Sequence, residues 1–336
     1  MTEQTPEQTQ PARPSLRSRL LTWGLLALVV AGFAVALGGR WGEVARELGR
    51  LDVGALVASL VLAVVAVACS GAAWARVLAD LGSPVPARPA ARLFFVSQLG
   101  KYVPGSVWPV VVQMRLGRAL GVPRTRTALA FVITVGLSIV VGGLVGLAGL
   151  PALARHGASA VPWLVAVAAG VGVVVLHPRV LNGALSLALR LLRRPPLEQP
   201  LPGRGIGAVT LWLLAFWVAA GLHIWVLAVD LGAPAGRSLP AAVGGFALAF
   251  CAGVLVVLLP AGAGVREVAL TAALGTVLPA GAAVAIALVS RFLLAVTDGL
   301  LAGVAWLLDR SPGLPVPSSP EPADPSPTDG GRPPRA

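Results

Sequence analysis

Seven stretches of the chain, near residues 20–38, 53–75, 127–149, 160–176, 208–229, 240–259 and 281–308, are almost wholly apolar. Each approaches the roughly 20 residues that a helix rising 1.5 Å per residue needs to cross a bilayer. In hydrocarbon the backbone must satisfy its own hydrogen bonds, so runs of this kind are read as spanning helices. The charged fraction agrees: 12% of residues are Asp, Glu, Lys or Arg, against roughly 25% in a soluble domain. The expected fold class is all-α, a polytopic transmembrane helical bundle with re-entrant or broken helices.

Two segments interrupt this series with glycine, proline and charge. The first runs Gly100-Lys101-Tyr102-Val103-Pro104-Gly105-Ser106-Val107-Trp108-Pro109, the second Leu259-Pro260-Ala261-Gly262-Ala263-Gly264-Val265-Arg266-Glu267. Backbone that leaves the helix at membrane depth persists only where protein or a watery cavity satisfies it, so paired breaks mark a transport pathway. Around the first, Ala90 to Leu99 reads as a half-helix and Ser106 to Leu120 as its continuation, with Pro109 tolerated in the first turn. A single crossing there would put the arginines of 115–126 on the wrong side, so a re-entrant hairpin is expected. Residues 266–278 span about 20 Å, and an eighth crossing, returning the C-terminus to the cytoplasm, is the favoured arrangement. No sequence repeat is evident.

The formal charge of +12 is carried by loop arginines, with Lys101 the one lysine among 26 basic residues. Topology and anionic lipid account for it, and no nucleic-acid module is visible. Arg76, Arg88, Arg92, Lys101, Arg115, Arg118, Arg124 and Arg126 make residues 76–126 cytoplasmic. Arg179, Arg190, Arg193, Arg194 and Arg204 do the same for 177–207, and the N-terminus follows. Leu181, Leu185, Leu189 and Leu192 at helical spacing suggest an amphipathic interfacial helix, a plain cytoplasmic connector being the alternative. The run after Arg13, Arg17 and Arg19 ends in Ala34-Val35-Ala36, but it exceeds a signal h-region and is read as an uncleaved first span. Residues 1–19 and the tail 311–336, with its nine prolines, are too polar to fold alone and flank one membrane domain at 20–310. The arginine-rich, alanine- and glycine-rich composition points to a bacterial cell membrane.

Conventional catalytic chemistry is missing. His156, His177 and His223 share no ligand spacing, Cys69 and Cys251 sit in apolar runs as packing residues, and no metal site, cofactor or phosphate-binding motif is expected. The ionisable residues at membrane depth are Arg266, Glu267, Arg291 and Asp298, each costing at least about 2.5–3.5 kcal/mol unless paired or hydrated. Arg291 and Asp298 share a helix face about 10 Å apart and cannot bond each other. In a hairpin turning at Leu278-Pro279-Ala280-Gly281, Glu267 and Arg291 reach similar depth. Glu267 either pairs with Arg291 or caps a helix N-terminus.

With these residues in view, the chain resembles the lysylphosphatidylglycerol synthase transmembrane-region, or flippase-like, family. The likeness is carried by Gly100 to Trp108, by Pro260 to Glu267 and by Arg291, over roughly residues 20–310. It implies an integral membrane module that moves lipids between leaflets, in some members fused to a soluble aminoacyl-transferase that is not expected in this chain. Many relatives carry Gly-Arg-x-Gly-Glu in the first motif where this chain has Gly-Ser-Val-Trp. The expected activity is movement of an anionic phospholipid rather than catalysis. Gln98, Lys101, Tyr102 and Gln113 would line the first break, with Arg266, Glu267 and Arg291 at the second. Arg115, Arg118, Arg124 and Arg126 would gather anionic headgroups, although the positive-inside rule explains them equally well. An intramembrane lipid-modifying enzyme and a non-catalytic partner of an envelope enzyme are the competing readings, and a homo-oligomer is left open.

Overall fold

The computed structural model describes residues 41–103, 107–153, 161–191, 193–197, 199–255 and 264–309. The expected first span at 20–38, its possible cleavage site and both flanking tails lie outside them. The described residues form helices with no strand. In chain order these are α1 (Trp41–Leu48), α2 (Val53–Asp80), α3 (Ala87–Gln98), a 3₁₀ turn (Leu99–Tyr102), α4 (Trp108–Ala119), α5 (Arg124–Leu153), α6 (Val161–Leu176), α7 (Pro178–Leu191), α8 (Gly203–Asp230), α9 (Ala235–Leu255), α10 (Val265–Leu274) and α11 (Ala280–Leu308).

Among the described residues, five helices are long and apolar enough to cross a bilayer: Val53–Asp80, Arg124–Leu147, Gly203–Asp230, Ala235–Val254 and Ala280–Leu308. They cover five of the seven expected spans. The stretch expected at 160–176 is the helix Val161–Leu176, which at 16 residues extends about 24 Å and falls short of the roughly 30 Å hydrocarbon core. Its last turns, Gly170–Leu176, meet Pro178–Leu191 at a 73° bend, so α7 does not continue the line of α6. Leu189 is buried there, and Asn182 ties α7 to the segment leading into α8 by accepting from the Leu201 N–H at 2.8 Å.

The antiparallel pair α2 and α8 is the spine. Asp52 at the start of α2 donates its N–H to Asp230 at the end of α8 (2.9 Å), and Ser59 bonds His223 further along. At the opposite end Gly205 lies so close to Asp80 that a Cβ would fall 2.0 Å from the carboxylate. These contacts define an Asp52 end and an Asp80 end of the bundle.

From the Asp80 end, α3 enters the bundle, turns at Leu99–Tyr102 and returns as α4. Gln113 donates to Ser97 Oγ at 3.0 Å, and a Cβ on Gly100 would stand 2.9 Å from the backbone nitrogen of Pro109, so the two arms touch along their length. The return is complete, because Arg126 at the start of α5 donates to the carbonyl of Gly82 at 2.9 Å. The expected re-entrant hairpin is therefore present, with residues 104–106 of its tip outside the described residues.

From the Asp52 end, α9 descends antiparallel to both α8 and α5. Trp217 meets Phe246, and Cys251 Sγ lies 3.8 Å from the Ile139 carbonyl. Cys251 and Cys69 are buried and free, as packing residues should be. Helix α10 climbs back along α9, with Ala273 opposite Gly245, and delivers the chain to α11 beside Glu43 of α1. Helix α11 then runs to the Asp80 end, where Arg92 donates to the Asp309 carbonyl at 3.1 Å. The arm expected as an eighth crossing is a ten-residue helix of about 15 Å, so it returns from mid-depth rather than spanning alone.

The two halves thus repeat one plan in opposite senses: a long helix, a hairpin entering from where that helix ended, and a second long helix. The repeat is one of structure, consistent with a sequence in which no repeat is evident. Between the halves α6 brings the chain from the Asp52 end, where α5 finishes, to Pro178 beside Gly203 at the Asp80 end, and this passage inverts the second half. The sequence trace is short: Asp80-Leu81-Gly82-Ser83-Pro84 ends α2 and Asp230-Leu231-Gly232-Ala233-Pro234 ends α8. In each the glycine is left-handed (φ +80° and +90°), and the next N–H closes on the helix, Ser83 to Leu78 O at 3.1 Å and Ala233 to Ala228 O at 2.9 Å.

Candidate functional site

The tips of both hairpins converge on α11. At the first, the 3₁₀ turn ends α3 and swings two side chains towards Asp298: Lys101 Nζ lies 2.7 Å from Oδ2, and the Tyr102 hydroxyl donates to the same oxygen at 2.5 Å. Asp298 is wholly buried, and its other oxygen, Oδ1, has no hydrogen-bond donor among the described residues.

At the second, Gly264 precedes α10 with φ of +87°, a left-handed conformation that a side chain would strain. Its N–H donates to Glu267 Oε2 at 2.6 Å. The other oxygen, Oε1, accepts from Arg291 Nη1 of α11. The ion-pair and helix-cap readings of Glu267 therefore both hold, one on each oxygen. Residues 256–263, with Pro260 and Gly262, lie outside the described residues.

Between the tips is a cavity of about 100 Å³, lined by Lys101, Arg266, Arg291, Gln98 and Tyr102 and walled by Phe94, Phe216, Phe246 and Phe250. The cations face it. Glu267 and Asp298 lie behind them, outside the lining. The Arg266 guanidinium sits over the rings of Phe246 and Phe250, 4.6 and 5.1 Å from their centroids, and no carboxylate pairs with it among the described residues. Such contacts contribute about 2 kcal/mol when desolvated, so they hold the cation in place without neutralising it. Phe246 and Phe250 are four apart on α9, a face legible in the sequence that its reading passed over.

The expected site residues divide accordingly. Gln98, Lys101, Tyr102, Arg266 and Arg291 meet at the cavity, although their sequence separations approach 200 residues. Gln113 is fully buried inside the first hairpin on Ser97, where it ties the arms together rather than lining the cavity. Arg115, Arg118 and Arg124 are exposed at the Asp80 end, whereas Arg126 is half-buried and bonded to Gly82 and to Ser83 Oγ at 3.1 Å. Asp298 as the partner of Lys101 and Tyr102 was missed, since only the fold joins positions 101 and 298.

His223 is fully buried beside this site. Its Nδ1 lies 3.0 Å from the Ser59 carbonyl, which can only accept, so Nδ1 carries the proton and Nε2 accepts from Ser290 Oγ at 3.0 Å. This joins α2, α8 and α11 and accounts for the histidine structurally. A separate groove of about 640 Å³ at the Asp80 end runs between the α2–α3 and α4–α5 links, with Arg92, Arg126 and Asp309 on its wall. No metal-binding group of three or more His, Cys, Asp or Glu occurs among the described residues.

Five apolar helices of spanning length, with paired hairpins around a cation-lined cavity, define a multi-pass all-α membrane protein. The family described as Lysylphosphatidylglycerol synthase TM region matches residues 22–302, and the chain belongs to it. That membership links the protein to lipid handling and agrees with the resemblance carried by the two broken motifs. No curated protein matches the chain.

Proposed function

We propose that the protein moves an anionic phospholipid between the leaflets of a bacterial plasma membrane, with the headgroup passing through the cavity while the acyl chains stay in lipid. The observation that carries this reading is the lining itself: Lys101, Arg266 and Arg291 face a space at mid-depth, and both nearby carboxylates stand behind them. The inverted plan supplies a route. Each hairpin closes the cavity from one end of the bundle, and each is latched to α11, the first through Asp298 and the second through Arg291. Releasing one latch at a time would open the site to one leaflet and then the other.

In this reading the Asp80 end is cytoplasmic, since the arginines of residues 76–126 and 177–207 gather there. Arg115, Arg118 and Arg124 concentrate anionic headgroups at that face. The membrane domain occupies 20–310, the flanking 1–19 and 311–336 take no part, and the chain performs no reaction of its own. The test is reconstitution of the full chain into vesicles with tail-labelled phosphatidylglycerol. Leaflet exchange faster than in protein-free vesicles is expected. A modified lipid product without exchange would overturn the proposal in favour of an intramembrane enzyme.

A further inference from the structure

We infer that the cavity accepts a group bearing one negative charge, a phosphodiester rather than a doubly ionised phosphomonoester, and that Arg266 is the residue that neutralises it. This rests on the cavity being the lipid's path. The argument is a charge count at mid-depth. Lys101 is matched by Asp298 at 2.7 Å, and Arg291 is matched by Glu267. Arg266 has only the faces of Phe246 and Phe250, so among the described residues the site carries one uncompensated positive charge.

A monoanion brings that sum to zero. A zwitterion leaves it unchanged and adds a cation beside three others, and a dianion leaves a net negative charge in a low-dielectric site. Uncompensated charge there costs several kcal/mol, which favours the monoanion over both. The two matched pairs cannot be drawn on without breaking the latches that hold the hairpin tips.

The titratable groups around the ligand come from three elements: Lys101 and Tyr102 from the turn, Arg266 from α10 and Arg291 from α11 line the cavity, while Glu267 of α10 and Asp298 of α11 stand behind the cations they pair with. From α8, His223 lies behind Phe246 with both ring nitrogens engaged by serines. The pH dependence expected below therefore belongs to the ligand.

The experiment is calorimetric titration of the full-length protein in detergent with water-soluble dibutyryl lipids. Dibutyryl phosphatidylglycerol should bind with an affinity that is flat between pH 5.5 and 8. Dibutyryl phosphatidate, whose second ionisation falls near pH 6 as in other phosphomonoesters, should weaken by more than about tenfold over that range. Dibutyryl phosphatidylcholine and inorganic phosphate at pH 8 should bind more weakly than the phosphatidylglycerol. Arg266→Gln should lower phosphatidylglycerol affinity by about tenfold or more, the loss expected for one charge-assisted hydrogen bond, and Arg266→Lys should recover part of it. The wild-type selectivity series needs no variant to fold. Phosphatidate binding at pH 8 as tight as phosphatidylglycerol, or phosphatidylglycerol affinity unchanged in a folded Arg266→Gln protein, would overturn the inference. Selective binding without leaflet exchange in vesicles would uphold it while refuting transport.

Discussion

Glu267 divides its carboxylate between two helices: Oε2 accepts the Gly264 N–H that opens α10, and Oε1 accepts from Arg291 on α11. One side chain thus caps the short arm of the second hairpin and fastens it to the helix that also anchors the first. Removing either partner strands a charge that is 6% exposed in Glu267 and 33% exposed in Arg291, so the carboxylate is the less tolerant of the two.

Glu267→Gln and Arg291→Gln should each destabilise the protein, and a double-mutant cycle read by unfolding should give a coupling of about 1–3 kcal/mol. The charge swap Glu267→Arg with Arg291→Glu should recover only part of the loss. It restores the ion pair but leaves the Gly264 N–H without its acceptor. Strictly additive losses would show that the pair is not energetically coupled.

The first latch should behave separately. Tyr102→Phe and Asp298→Asn each weaken the bonds on Asp298 Oδ2, where Lys101 and Tyr102 converge at 2.7 and 2.5 Å. A cysteine placed at Val67, a buried residue of the cavity lining, should then react faster with a small thiol reagent than in the parent, by about tenfold if roughly 1.4 kcal/mol of closure is lost. An unchanged rate would mean that the hairpin stays closed through its contacts along Ser97 and Gln113 alone.

The four arginines of residues 115–126 should split by position. Neutralising Arg115, Arg118 and Arg124 should slow lipid exchange in anionic vesicles, and salt near 1 M, where the Debye length shrinks to about 3 Å, should mimic the defect. Arg126→Gln should instead lower stability, because its guanidinium braces the Gly82–Ser83 turn at the end of α2. Equal slowing in neutral vesicles would leave the first three with a topological role only.

The orientation can be read by labelling. A cysteine at Thr125 should be protected from an impermeant reagent applied to intact cells, and one at Gly236 should react, since the two positions lie at opposite ends of the bundle. The reverse pattern would invert the assignment of the Asp80 end.

Much of this was written in local chemistry. Apolar runs at helical length set the all-α class, because a bilayer leaves a backbone few other ways to satisfy itself. The hairpin at Gly100 was legible because arginines on both flanks cannot sit on opposite sides, and Glu267 opposite Arg291 because a short connection fixes the register of neighbouring helices. The second arm was less so: a ten-residue helix and its missing length look alike in a hydropathy profile.

What the sequence determined by itself was therefore the class of the protein, its two broken elements and the presence of ionisable groups that needed partners. Only the tertiary structure decided which partners they took. Lys101 and Tyr102 meet Asp298 across 197 and 196 positions because two halves of opposite sense bring their hairpin tips to one helix, and nothing in either segment encodes that meeting. The same holds for Arg266, left with two phenylalanines because both acids were already engaged. Hydrogen bonding along one segment is dictated by the segment. Charge compensation in a low dielectric depends on every group within a few ångströms, whichever part of the chain supplies it.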